Sequence, residues 1–199
     1  MTTRDKILNA AKEEFLLNGY DATRMRSISQ RSEVNKGLLH YYFKSKDALI
    51  TEVFQMTFSQ FFASIGAIAN SEGPFAEKLE LIVHNYIDFL SKNPRLPWFI
   101  LHEMERSPAE HSARLKKAGV RPPAHLLKQL ITQGKEQGAV RKDLDERHFM
   151  LSLMSLMLFP FVGKGMLMYV EGSSERTFKK TIQDRKKEVT DILLRYVQP

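Results

Sequence analysis

The chain of 199 residues contains no cysteine. A disulfide framework, a thiolate metal site and a catalytic thiol are all excluded by that absence. Glycine (10) and proline (8) are sparse, and there is one tryptophan; a collagen-like or low-complexity chain would be far richer in the first two. Long apolar runs are missing as well. Phe149–Gly163 comes nearest, but it contains Ser152, Ser155 and Pro160 and stops at Lys164, short of the roughly 17–25 apolar residues that a spanning helix needs. A helix apolar on all sides and too short to span reads as core or subunit interface, so no membrane partner is expected. The polar start, Met1–Lys6, lacks the apolar stretch of a secretory signal, and the expected setting is the cytoplasm. What remains, 43% hydrophobic and 27% charged residues, suits one globular unit or two small ones packed together.

Acidic residues are the minority charge: 23 against 30 Lys and Arg, a formal net of +7. An anionic partner fits that balance. The excess is concentrated. Between Thr23 and Lys46 the cations are Arg24, Arg26, Arg31, Lys36, Lys44 and Lys46, and the one acid is Glu33. A second basic run, Arg176–Lys187, carries Phe178, Ile182, Val189, Ile192, Leu193 and Tyr196 at helical spacing nearby, and reads as the solvated face of a packed helix.

Apolar residues recur with helical period nearly everywhere, and no segment alternates with period two, so the expected fold is all-α. Ile7, Leu8, Ala11, Phe15 and Leu16 share one face, with Asn18-Gly19 as a stop. Thr23 is placed to cap a second, short helix ending near Ser32. Asn35 is placed to cap a third through Tyr42, and Ser45 a fourth from Lys46. That fourth helix is long, with Leu49, Val53, Phe54, Phe58, Phe61, Phe62, Ile65 and Ile68 forming a stripe up to the break at 70–74. Further helices are expected over Phe75–Leu90, Pro97–Arg106, from Pro108 with an interruption at Gly119–Pro123 and resumption to Gly134–Gly138, from Asp143 or Asp145 through the apolar run, and over Arg176–Val197. The coarse division is a short-helix segment, 1–46, and a long-helix segment, 47–199.

No enzyme chemistry is legible. The six His (His40, His84, His102, His111, His125, His148) are scattered without an H-E-x-x-H pair. Gly163-Lys164-Gly165 lacks the spacing of a phosphate loop. His102 and Glu103 are adjacent on a helix and point in different directions, a poor metal pair. No cofactor and no metal are expected.

Two short basic helices joined by a tight turn are the starting point of a helix-turn-helix. Ile28 and Val34 bracket the turn as apolar plugs, Ser29 is small enough for close approach, and Leu39 faces the same core. Capping by Asn35 leaves the first N–H groups of the third helix pointing outward, and in this motif the start of the second helix of the pair meets base edges. Lys36 sits at that start. Gly37 follows, although Gly costs roughly 1 kcal/mol relative to Ala inside a helix; a close approach to DNA would explain it. His40, Tyr41 and Tyr42 offer hydrogen-bonding and aromatic groups. Lys46 lies in a first helical turn, where a cation is disfavoured by roughly 0.3–1 kcal/mol unless a phosphate is near.

These residues carry a family resemblance. Ile7-Leu8-Asn9-Ala10-Ala11, Phe15, Gly19-Tyr20, Thr23, Ile28 and the run from Lys36 to Leu49 resemble, in type and spacing, the N-terminal domain of TetR-family transcriptional regulators over residues 4–54. The resemblance implies a three-helix DNA-binding head, a larger helical body that binds a small molecule, and a homodimer built on the last two helices. By position it implies that Thr23 and Met25 touch the DNA backbone, that Lys36, Gly37, His40 and Tyr41 lie at the groove, and that Tyr42 and Lys46 hold phosphates; Asn35, the cap of the third helix, is counted with these DNA-binding residues. Glu33 stands where the family often has Gly, at a cost of roughly 1–2 kcal/mol if left-handed, and His40 replaces a common Tyr.

The functional expectation is a sequence-specific regulator of double-stranded DNA, a repressor released from a palindromic operator by a hydrophobic small molecule. The rival is a non-specific architectural DNA binder, which would leave the long-helix segment without a role. For the effector, the body supplies Phe58, Phe62, Tyr86, Trp98, Met154 and Met157, with His102 and Glu103 as polar groups. Taken singly each reads as core. Together they suit an adaptable apolar pocket, since five of the nine Met fall between Met150 and Met168. The dimer is expected through Asp145–Phe159 and Arg176–Val197, because Phe149, Leu151, Leu153, Met154, Leu156, Met157 and Leu158 are more apolar surface than one helix buries on one side.

Overall fold

A computed structural model describes residues 1–120 and 124–199. Eleven α-helices and no strand occur among the described residues: α1 (Thr3–Ala22), α2 (Met25–Ser32), α3 (Lys36–Tyr42), α4 (Lys46–Asn70), α5 (Phe75–Lys92), α6 (Leu96–Arg106), α7 (Pro108–Lys117), α8 (Ala124–Glu136), α9 (Glu146–Val162), α10 (Lys164–Glu171) and α11 (Glu175–Val197). The fold is all-α, with an N-terminal helix-turn-helix and a larger helical remainder. Residues 121–123 of the expected interruption lie outside the described residues. Helix α10 is the one element the periodicity does not single out, because eight residues with Met166, Leu167 and Met168 in sequence carry no clean stripe.

Two compact units form. One comprises Met1–Gln60 with Trp98–Arg121, the other Phe61–Pro97 with Pro122–Pro199. Helix α4 contributes residues to both.

In the first unit, α1 opens on a capping box: the Thr2 hydroxyl accepts from the Asp5 N–H at 3.2 Å and the Asp5 carboxylate accepts from the Thr2 N–H at 2.9 Å, so two otherwise orphaned donors are satisfied. Ile7, Leu8, Ala11 and Phe15 bury one face of α1 with Ile28, Leu39, Phe43, Leu49 and Phe54. Arg31 closes α2 onto α1, its Nε donating to the buried Glu14 carboxylate at 2.6 Å. Asn18-Gly19 does not end α1. The chain breaks helical geometry at Gly19 (φ 78, ψ 171) and resumes to Ala22, a conformation only glycine adopts cheaply.

In the second unit α11 packs along α5 and α9, and α8 packs on α5 and α9. Phe149, Leu153 and Met157 of α9 are buried with Phe178, Ile182, Val189 and Leu193 of α11. The α9 cap is Asp145, whose carboxylate accepts from the N–H groups of Arg147 and His148. Those two bonds lower its pKa below the usual carboxylate value. Among the described residues no single helix is long and apolar enough to cross a membrane; α9 and α10, which approach that length only together, are bent by 72°.

Candidate nucleic-acid interface

The helix-turn-helix assembles from its own sequence. Ile28, Val34 and Leu39 are buried. The Ser29 hydroxyl donates to the Val34 carbonyl at 2.6 Å, and the Val34 N–H donates to the Ser29 carbonyl at 3.2 Å, clamping the turn from both sides. Glu33 occupies the left-handed region (φ 56, ψ 30), the conformation for which a glycine is the usual solution. Asn35 caps α3, its side-chain oxygen accepting from the Leu38 N–H at 2.8 Å.

Helix α3 then presents Lys36, Gly37, His40, Tyr41 and Tyr42 to solvent. Tyr41 is 71% exposed, edge-on to Tyr42 at 5.5 Å between centroids, with the Lys44 ammonium 5.9 Å from its ring. A Cβ on Gly37 would meet only the Asn35 side-chain oxygen, at 3.4 Å. Nothing within the described residues requires glycine there.

Two expected contacts are reassigned. Thr23 does not cap α2; that position is Arg24, which makes no side-chain cap bond. The Thr23 side chain is buried, and its hydroxyl donates to the carbonyls of Gly19 (2.7 Å) and Glu14 (3.1 Å), so only its backbone can face DNA. The start of α2, at Met25, keeps free N–H groups suited to phosphate. Lys46 is not a free phosphate ligand. Its ammonium donates to the carbonyls of Tyr20 (2.9 Å), Thr23 (3.1 Å) and Asp21 (3.3 Å) and lies 4.3 Å from the Tyr20 ring centroid. All three of its N–H bonds are taken by the C-terminal end of α1, where a cation is favoured. The penalty of a lysine in the first turn of α4 is offset there.

The expected effector residues are divided between the two units: Phe58, Trp98, His102 and Glu103 belong to the first, Phe62, Tyr86, Met154 and Met157 to the second. Trp98 and His102 stack at 4.9 Å, both exposed on α6. Glu103 is buried in the first unit and its carboxylate accepts the Tyr20 N–H at 3.1 Å; the break at Gly19 turns that N–H away from the helix axis toward it. Phe58 lies against Phe54 in the same unit. Phe62 and Tyr86 both contact Phe61 in the second unit, at 5.3 and 5.2 Å, beside the Phe61–Phe89 stack at 4.2 Å. Burial pushes the Tyr86 phenol up to about 12. Met157 is buried and Met154 half-buried.

Sequence reasoning missed how α6 and α7 hold the head. Besides Glu103, Arg106 pairs with Asp21 at 2.7 Å. Arg114 donates from Nε to Asp47 at 3.0 Å and lies 3.7 Å over the Tyr20 ring. Tyr20 donates its hydroxyl to Asp47 at 2.7 Å, and burial with that carboxylate raises its phenol to about 12. Glu103 and Tyr20 are 83 residues apart in sequence and Arg114 and Asp47 are 67 apart, and no local signal joins them.

Two family models match the chain. Residues 7–53 match the bacterial regulatory proteins of the tetR family, and residues 72–159 match the tetracyclin repressor-like C-terminal domain. The chain belongs to the TetR family: it is a DNA-binding helix-turn-helix transcriptional regulator with a helical C-terminal domain of the tetracyclin-repressor-like kind. It is 23% identical over 142 residues to the fatty acid metabolism regulator protein of Bacillus subtilis, covering 71% of this chain and 73% of that protein. Over 56 residues it is 46% identical to the HTH-type transcriptional regulator QacR of Staphylococcus aureus, 28% of this chain and 30% of that one. The fold resembles the crystal structure of the transcriptional regulator FadR from Bacillus subtilis in complex with stearoyl-CoA, with a TM-score of 0.74 at 19% identity, over 96% of this chain and 97% of that one.

Proposed function

We propose that this regulator is a homodimeric repressor that reads a palindromic operator with α3 and is released by a hydrophobic effector. Residues 1–46 serve as the reading head, and 47–199 as the effector-binding and dimerisation part. The observation that carries the DNA reading is the face of α3, where Lys36, Gly37, His40 and Tyr41 are exposed and Gly37 has no role inside the protein. The start of α2 at Met25, Asn35 and Tyr42 complete the contact set. A second copy doubles the head and matches a two-fold sequence.

The effector reading rests on the aromatic and methionine content and on the relative solved with stearoyl-CoA; an acyl-CoA is therefore the first compound to test. Its release signal would run through α6, the helix that carries Glu103 to the end of α1. Trp98, in the first turn of α6, should then change its emission with the same midpoint as operator release.

Selection of bound duplexes from a random pool tests the DNA reading. A palindromic consensus, bound at least ~1000-fold more tightly than random duplex, is the expected outcome for a sequence-specific regulator. Equal affinity for both would favour the non-specific architectural binder. Gly37→Val should abolish binding to the selected operator while leaving the thermal unfolding midpoint near wild type.

A further inference from the structure

The basic run Arg176–Lys187 is left over by the DNA reading. On α11, Arg176, Lys180 and Lys187 share one face with Lys179 beside them, a stripe about 16 Å long at the helical rise. All four are exposed, away from the face that buries Phe178, Ile182, Val189 and Leu193. None of the four has an ion pair among the described residues; Lys186, by contrast, is held by Asp88 of α5 at 2.6 Å. Directly before this stripe the chain exposes apolar side chains. Met166, Tyr169 and Val170 of α10 share one face and are 55, 88 and 74% exposed. The joint between the two helices is fixed. Gly172 takes the left-handed conformation (φ 61) and returns its N–H to the Tyr169 carbonyl, and Ser174 caps α11 by accepting the Thr177 N–H at 3.2 Å. Lys164, at the start of α10, pairs with Glu175 at 2.6 Å and neutralises the acid next to Arg176. Single exposed apolar side chains need no explanation, but a contiguous triad beside a cationic stripe marks a contact surface.

We propose that the α10–α11 corner is a peripheral docking surface for an anionic lipid bilayer: Met166, Tyr169 and Val170 enter the headgroup boundary while Arg176, Lys179, Lys180 and Lys187 meet the lipid phosphates. The combination selects this occupant. A bilayer surface is apolar just beneath an anionic layer, so it answers both parts of the corner. Duplex DNA would satisfy the stripe, but its phosphates offer the apolar triad nothing. A second copy related by a two-fold axis would set the stripe against its own image, like charge on like. The contact needs no spanning helix. One short apolar face binds a bilayer weakly by itself, and the cations supply the second attraction, which keeps the attachment reversible. Tyr169 suits the headgroup level, where the ring is buried and the hydroxyl stays wet. The corner lies wholly within the second unit, and α3 within the first, so the inference stands apart from the operator and effector readings.

The test uses the full chain and co-sedimentation with vesicles of phosphatidylcholine, alone or with about a third of anionic phosphatidylglycerol. The chain should bind the anionic vesicles at least about tenfold more tightly than the neutral ones at about 0.1 M salt, and lose most of that preference at about 0.5 M. Lys179→Gln with Lys180→Gln, and separately Tyr169→Ser with Val170→Ser, should each weaken binding to the anionic vesicles about tenfold or more. Neither pair should lower the unfolding midpoint or change the oligomeric state, because these side chains are exposed. If one pair fails to fold, the other reads the same outcome. As a control, Lys36→Gln with Lys44→Gln on the reading head should leave vesicle binding unchanged; loss there would move the attraction to the head and overturn the corner. No binding to anionic vesicles, or equal binding to neutral ones, would overturn it as well. Binding lost with the lysine pair but kept with the apolar pair is the result for a bare polyanion site such as DNA would use. A dissociated oligomer in the Tyr169→Ser, Val170→Ser chain is the result for an interface between copies. Either outcome rules out the bilayer.

Discussion

Glu33 carries the clearest single-residue strain in the head. Its φ of 56° puts a side chain where glycine is at ease, in a turn clamped by Ser29 and Val34 on either side. Glu33→Gly should raise stability by about 1 kcal/mol, read as a higher denaturant midpoint with unchanged slope. A lower midpoint would mean the Glu33 side chain is itself stabilising. His111 makes a second prediction. Its pKa is lowered by burial, so folding favours the neutral ring. That contribution is complete above the ordinary histidine value near 6.5 and is lost as pH falls through the lowered value in the folded state. Unfolding midpoints measured from pH 7.5 down to 5 should fall in the wild type. The slope is at most about 1.4 kcal/mol per pH unit for one proton. In His111→Phe that part of the slope should vanish.

Between elements, the sequence and the packing part company at Lys46. Read locally it is a misplaced cation waiting for a phosphate. Read in the fold it closes the end of α1 through three carbonyls. Lys46→Met should lower head stability by about 1–2 kcal/mol. The slope of log affinity for DNA against log salt should stay as in wild type; a slope smaller by about one would restore a phosphate role. Gly134 is a second case. By sequence it is a helix end, yet it is buried in α8, where a Cβ would stand 2.5 Å from Val140 and 2.7 Å from Phe75. Gly134→Ala should cost about 1–3 kcal/mol by overpacking, measured by thermal unfolding, even though alanine is the better helix former.

For the whole molecule, the dimer reading sharpens once burial is known. Phe149, Leu153 and Met157, counted in the sequence as surplus, are consumed by packing within the second unit. What α9 leaves outside is a stripe of Leu151 (63% exposed), Ser155, Phe159 (50%) and Val162, with Ile192 and Tyr196 exposed on α11. An apolar stripe on one helix face fits the proposed dimer. Leu151→Glu with Phe159→Glu should shift sedimentation from dimer to monomer at micromolar concentration and lower operator affinity in step. A dimer that survives both substitutions would place the interface elsewhere.

Periodicity, caps and turn chemistry are local, and they set most of this protein on their own. The all-α class, the end of α2, the bounds of α3 and α4, the Asn35 and Ser45 caps and the exposed side chains of α3 are all legible, because each depends on residues within four or five positions of one another. The same locality misled at Thr23, which looks like a cap for the helix after it and instead binds carbonyls of the helix before it. Only the tertiary structure decided which polar groups are spoken for. Glu103 meets Tyr20 across 83 residues, Arg114 meets Asp47 across 67, and the Thr57 hydroxyl and His111 Nε2 are left without hydrogen-bond partners among the described residues. Hydrogen-bond satisfaction in a core is set by which helices pack, and packing is a sum over distant apolar contacts that no window of sequence contains.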